Sequence, residues 1–65
     1  MNFNLLKALK EKNLTQRDLA RIINEHESVV SRIINGIWNP DEARKIKYAK
    51  ALGRKPEELF SGEEN

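Results

Sequence analysis

Sixty-five residues set a ceiling of one domain, and a chain that short buries only about 60% of the surface its unfolded form exposes, so its core is small. It has no cysteine and one histidine, His26, which removes disulfides, thiolate metal sites and Cys nucleophiles together and leaves no His-based metal site. The net charge is +2, but residues 1–55 hold all 12 basic residues and six acidic ones, a net of +6. The remaining four acids (Glu57, Glu58, Glu63, Glu64) lie in the last ten positions. A basic body with an acidic end favours a polyanionic partner, nucleic acid ahead of an anionic membrane surface. No apolar run is long enough to span a membrane or act as a secretory signal, so the expected compartment is the cytoplasm.

The elements follow from caps. Asn2 or Asn4 can start a first helix with Leu5, Leu6 and Leu9 at helical spacing, and Asn13 is its expected stop. Thr15-Gln-Arg-Asp18 has the pattern of a capping box, in which the Thr hydroxyl and the Asp carboxylate each bond the other's amide. Leu14 and Leu19 flank it as a hydrophobic staple. Leu19, Ala20 and Ile23 give the second helix its apolar face, and Asn24 marks its end. A third helix is expected over Glu27–Asn35 with Val30, Ile33 and Ile34 inward, closed by Gly36. The fourth is expected to start at Asn39, with Asn39 as cap, Pro40 at the first helical position and Asp41 and Glu42 in the first turn. Ile46, Tyr48, Ala49 and Leu52 are expected to face inward, with Gly53 as the stop. Pro56–Phe60 reads as a last short helix, and Ser61–Asn65 as a frayed acidic tail. No segment alternates with period two, so the predicted fold is all-α.

The turn between the second and third helices has only two or three residues, which suits two short helices crossing at a large angle. Leu14-Thr-Gln-Arg-Asp-Leu-Ala20, Asn24, Val30-Ser-Arg-Ile-Ile-Asn-Gly36, Asn39-Pro40, Ala49-Lys-Ala-Leu-Gly53 and Pro56-Glu-Glu-Leu-Phe60 occur in an order and spacing that resembles the lambda-repressor-like helix-turn-helix family. The resemblance covers about residues 5–60. It implies a compact five-helix bundle, a DNA-binding domain over residues 1–60 and a flexible tail over 61–65. It also implies a third helix in the major groove of operator DNA and a second helix whose start rests on the backbone.

Carried over residue by residue, the resemblance aims Glu27, Ser28, Ser31 and Arg32 at bases. Arg32 is the best suited, since its planar fork matches guanine O6 and N7. Backbone contacts are expected from Thr15 and Gln16 at the start of the second helix, from Arg17 and Arg21 on its exposed side, and from His26, Asn35, Trp38 and Asn39. Gln16 is also expected to brace Glu27. Where the family often pairs a buried Arg with a Glu, this chain has Leu9 and Ile34, expected to meet as an apolar contact. Glu25 stands where the family often has an apolar residue.

Each assignment has a plainer rival. His26, Arg17 and Arg21 can be solvated surface, and Glu27 can simply complement the helix dipole. Trp38 is expected to staple onto Ala43, and the stem of Lys45 to snorkel along the core edge. Asp41-Glu42 and Glu57-Glu58 sit at helix starts, where dipole chemistry explains them, so no enzyme activity is expected. Neither is a metal, a cofactor or a small-molecule ligand. The expected protein is a nucleoid-associated transcriptional regulator, a Cro-like repressor or controller. It would be a homodimer, in solution or only on DNA, with contacts from Ile37, Pro56, Glu57 and Phe60. The rival is a protein-interaction or antitoxin-like module on the same fold, for which exposed Ile22, Ile37 and Trp38 would speak.

Overall fold

Side-chain caps open three of the four longer helices in the computed structural model, which describes residues 1–60. Helix α1 spans Phe3–Glu11 behind Asn2, whose side chain accepts the Leu5 amide at 3.0 Å. Asn4 lies inside the helix. Asn13 follows with φ 60°, the left-handed conformation that Asn tolerates better than most residues. Helix α2 spans Gln16–Ile23, α3 Glu27–Ile34, α4 Glu42–Leu52 and α5 Pro56–Phe60. The capping box at α2 is complete. The Asp18 amide donates to the Thr15 hydroxyl at 3.1 Å, and the Thr15 amide donates to the Asp18 carboxylate at 2.9 Å. Gly36 and Gly53, at φ 78° and 66°, turn the chain after α3 and α4. The described residues are all-helical, and the expected tail, 61–65, lies outside them.

The start of α4 differs from the expectation. Asp41, not Asn39, is the cap, and Pro40 precedes the helix instead of opening it. The Asp41 carboxylate accepts the Arg44 amide at 2.9 Å, and its charge suits the positive end of the helix better than a neutral amide does. Pro40 also biases Asn39 toward extended backbone, away from helix.

One core draws on all five helices. Leu5 and Leu9 of α1, Leu19 and Ile23 of α2, Val30, Ile33 and Ile34 of α3, Tyr48 and Leu52 of α4, and Leu59 and Phe60 of α5 are all buried. Ala8, Ala20 and Ala49 are buried with them, small enough to let helix backbones approach. Leu9 and Ile34 belong to this cluster, so apolar packing fills the place expected for it. Ile46 does not join: it is 46% exposed. The inward stripe of α4 runs through positions 45, 48, 49 and 52, and Ile46 lies a hundred degrees round the helix from Lys45. Lys45 takes the stripe's first place with a half-buried stem, its Nζ 3.7 Å from Glu42.

The chain's first residues are part of this packing. Asn2 is 1% exposed. Its amide donates to the Ile34 carbonyl at 2.6 Å, and its Nδ2 donates to the Leu59 carbonyl at 2.9 Å. One side chain therefore caps α1 and fastens it to α5, while its backbone ties to the end of α3.

Candidate nucleic-acid interface

Helix α2 ends in a tight reversal. Asn24 takes φ 59° and ψ 49°, and the Glu25 amide reaches back to the Ala20 carbonyl at 2.9 Å. His26 is the N-cap residue of α3, but its side chain makes no capping bond, so its imidazole stays exposed and uncommitted. Val30 and Ile33 turn toward α2. The opposite face of α3 therefore points outward, because residues three and four apart share a side of the helix. Glu27, Ser28 and Arg32 are exposed there and Ser31 is half-buried. The Ser31 hydroxyl accepts a bond from Asn35 Nδ2 at 3.3 Å.

Charge pairing sorts the arginines. Arg17 Nε lies 3.5 Å from Glu27 Oε1, joining the starts of α2 and α3. The brace expected between Gln16 and Glu27 is thus made by Arg17, whose longer cationic side chain spans the exposed gap while Gln16 is half-buried. Arg21 pairs with Asp18 at 3.9 Å, Arg44 with Glu25 and Arg54 with Glu11. Arg32 is the one arginine with no carboxylate partner among the described residues. The Thr15 amide, then the Thr15 hydroxyl, and beyond them Arg21 and Arg17 hold the Asp18 carboxyl below its ordinary 3.8. Asp18 is therefore ionised wherever the domain is folded near neutral pH. The amides of Gln16 and Arg17 have no intrahelical acceptor, as in any first helical turn.

The segment after α3 is compact. Gly36 donates to the Ile33 carbonyl, and Ile37 and Trp38 both donate to that of Arg32. Asn35, Ile37 and Asn39 are exposed. Trp38 is 43% exposed and stands three residues before the cap at Asp41, outside the position from which a staple reaches the helix. With the cap at Asp41 the register of α4 moves, Ala43 faces solvent, and the Arg44 guanidinium lies over the indole, 5.0 Å from the ring centroid.

Arg44 has a second partner that sequence reasoning missed. Its Nε is 3.2 Å from Glu25 Oε2, in a pair whose side chains are 29% and 13% exposed, and Nη2 donates to Glu25 Oε1 at 3.4 Å. Lys47 approaches the same carboxylate at 3.6 Å. The available signal was a glutamate at a position suited to an apolar residue, with cations spaced three apart on α4. Beneath them the Tyr48 hydroxyl is buried and meets no hydrogen-bond partner among the described residues. Burial first, then the Glu25 charge, raises its pKa to about 12 against an opposing pull from Arg44.

Of the residues expected to pair two copies, Ile37 is 76% exposed, Glu57 is exposed and Pro56 half-buried. Phe60 is not on the surface. It is 3% exposed and packs edge-to-face on Tyr48, ring centroids 5.9 Å apart, because α5 needs both Leu59 and Phe60 to anchor so short a helix. Phe3, 72% exposed, was not singled out by its sequence context; it lies in the first turn of α1, on the side away from Leu5.

Two helices crossing at a short αL turn, with the outer face of the second left polar, is the arrangement these residues build. The family model described as helix-turn-helix matches residues 5–59. No curated protein and no solved structure matches the chain.

Proposed function

The chain belongs to the lambda-repressor-like helix-turn-helix family of DNA-binding regulators, and from that premise we propose that it is a sequence-specific regulator, Cro-like in having α3 lie in the major groove of an operator. The observation that carries the reading is the outer face of α3. Arg32 stands there exposed and, among the described residues, free of any carboxylate, beside Ser28 and Ser31, while the other arginines are engaged. Arg32 reads a guanine edge. Glu27, held by Arg17, is aimed at a cytosine amino group, with Ser28 and Ser31 filling the groove between.

The start of α2 rests on a phosphate, received by the free amides of Gln16 and Arg17 and favoured by the helix dipole. Thr15, Arg21, His26, Asn35, Trp38 and Asn39 flank the same backbone. Residues 1–60 make up the DNA-binding domain. Two copies bind related half-sites about 34 Å apart, pairing through exposed Ile37 and Glu57 and half-buried Pro56 and assembling on the DNA.

The test is a pair of binding titrations on a duplex selected from random sequence and on its scrambled counterpart. Arg32→Ala lowers affinity for the selected duplex about 10- to 100-fold and leaves the scrambled one nearly unchanged. Arg17→Ala weakens both alike and lowers the salt slope by about one unit per half-site. Equal losses on both duplexes for Arg32→Ala would reduce it to a phosphate contact. A second reading, a protein-interaction module on the same fold, is favoured by the exposure of Ile22 and Ile37. It predicts no steep salt dependence on any duplex.

A further inference from the structure

Helix α3 has eight residues, too few to be stable as an isolated helix, and its N-terminal cap residue contributes no side-chain bond. Something else must fix where it starts and where the chain leaves it. The residue before the cap is Glu25, and Glu25 is held by Arg44 of α4: Nη2 donates to its Oε1 at 3.4 Å, and Nε lies 3.2 Å from Oε2 as an ion pair without hydrogen-bond geometry. The chain leaves α3 through a turn that ends at Trp38, and the indole lies beneath the same guanidinium, at 5.0 Å. The Trp38 amide in turn bonds the Arg32 carbonyl, inside α3. Arg44 is fixed from its own side by Asp41, 4.0 Å away, and its side chain is only 29% exposed.

We propose that the Glu25–Arg44–Trp38 triad is a clamp in which one guanidinium on α4 holds both ends of α3 and so sets the aim of its outer face. Glu25, Arg44 and Trp38 are positioning residues and make no base contact. The inference rests on the reading of α3 as the DNA-reading helix. Arginine suits the task because its edge pairs with a carboxylate while its flat face stacks on an aromatic ring. An ammonium keeps the charge and loses the fork and the flat face. Lys47, 3.6 Å from the Glu25 carboxylate, adds charge to the pair but reaches no part of the exit turn.

Two variants test the clamp, Glu25→Gln and Arg44→Lys. The second retains a cation beside Glu25 and guards against simple failure to fold. Trp38 is the only tryptophan, so its emission and its quenching by neutral acrylamide report on the exit turn alone. In Glu25→Gln, a change at the entrance of α3, the clamp predicts a red-shifted emission and easier quenching at the exit. On DNA, both variants lower the affinity ratio between the selected and scrambled duplexes about tenfold, through loss of affinity for the selected one. Variants that are less stable but keep the wild-type ratio would overturn the proposal, leaving the triad a support of the fold alone. If the wild type binds neither duplex, the DNA reading fails on its own. The clamp is then judged by Trp38, and an unchanged quenching constant in Glu25→Gln refutes it.

Discussion

Replacing Tyr48 by Phe removes one oxygen from the centre of the domain. The residue is 0% exposed, its hydroxyl has no partner among the described residues, and its ring packs against Phe60, a contact that phenylalanine keeps. Burying a hydroxyl without a bond costs about 1–3 kcal/mol. The change returns part of that and opens a void smaller than a methyl group, so Tyr48→Phe is expected to be more stable by about 1 kcal/mol at neutral pH. For a domain of this size that corresponds to roughly 4–8 °C in Tm. The effect grows in alkali. The folded pKa, about 12, is raised above the unfolded value of 10.0, so the stability tied to the neutral phenol is fully present below pH 10 and is lost as pH climbs through 12. Near pH 11 the wild type loses on the order of 1 kcal/mol that the variant retains. Urea melts of both proteins at neutral pH and near pH 11 measure this, and changes common to both cancel in the difference. Because the chain has one tyrosine, tyrosinate absorbance reads the folded pKa directly. A variant less stable by 1 kcal/mol or more, or a tyrosinate midpoint near 10, would refute the reasoning, since either result requires a partner or solvent at the hydroxyl.

Asn2→Ala removes the cap of α1 and leaves the Leu59 carbonyl unpaired, and chemical denaturation is expected to register a loss of about 2–4 kcal/mol. Ile34→Glu buries a charge with no partner and should cost about 3 kcal/mol or more; adding Leu9→Arg should recover part of it, a coupling that a double-mutant cycle reads. Asp18→Asn is expected to be less stable than the wild type at neutral pH. The folded pKa of Asp18 is depressed, so its contribution is present above 3.8 and lost as pH falls through the lowered value; urea midpoints taken down the acid range should converge, and a constant gap would speak against the capping carboxylate.

The parts of the fold legible in the sequence were those that depend on near neighbours. The capping box at Thr15, the αL turn at Asn24 and the stops at Gly36 and Gly53 each need only a few adjacent residues to form. The core stripe of α2 and α3 was legible for the same reason, and with it the outward face through Arg32. What failed were choices between equivalent local options and pairings across elements. Asn39 and Asp41 are both good caps, and the carboxylate prevailed. Ile46 is as apolar as any core residue, but its angle on α4 follows from how that helix packs. Phe60 looked available for a partner because nothing in a five-residue helix says which side is covered. Glu25 with Arg44, and Trp38 beneath them, depend on where α4 crosses the turn, and no periodicity encodes that crossing.

The bond from Asn2 to Leu59 spans 57 positions, which has a consequence for the nascent chain. Asn2 is made ahead of every helix of the domain, and its acceptor is added only after the four earlier helices. Until α5 has left the ribosome, the start of α1 has its local cap and its tie to Ile34 but cannot complete its third bond. Leu5, Ala8 and Tyr48 meanwhile lack the apolar cover that Leu59 and Phe60 bring. The domain therefore closes late and in one step, and a message truncated within α4 would yield a chain with its core open and its first polar anchor unmet, a substrate for proteolysis and not a shorter version of the same fold.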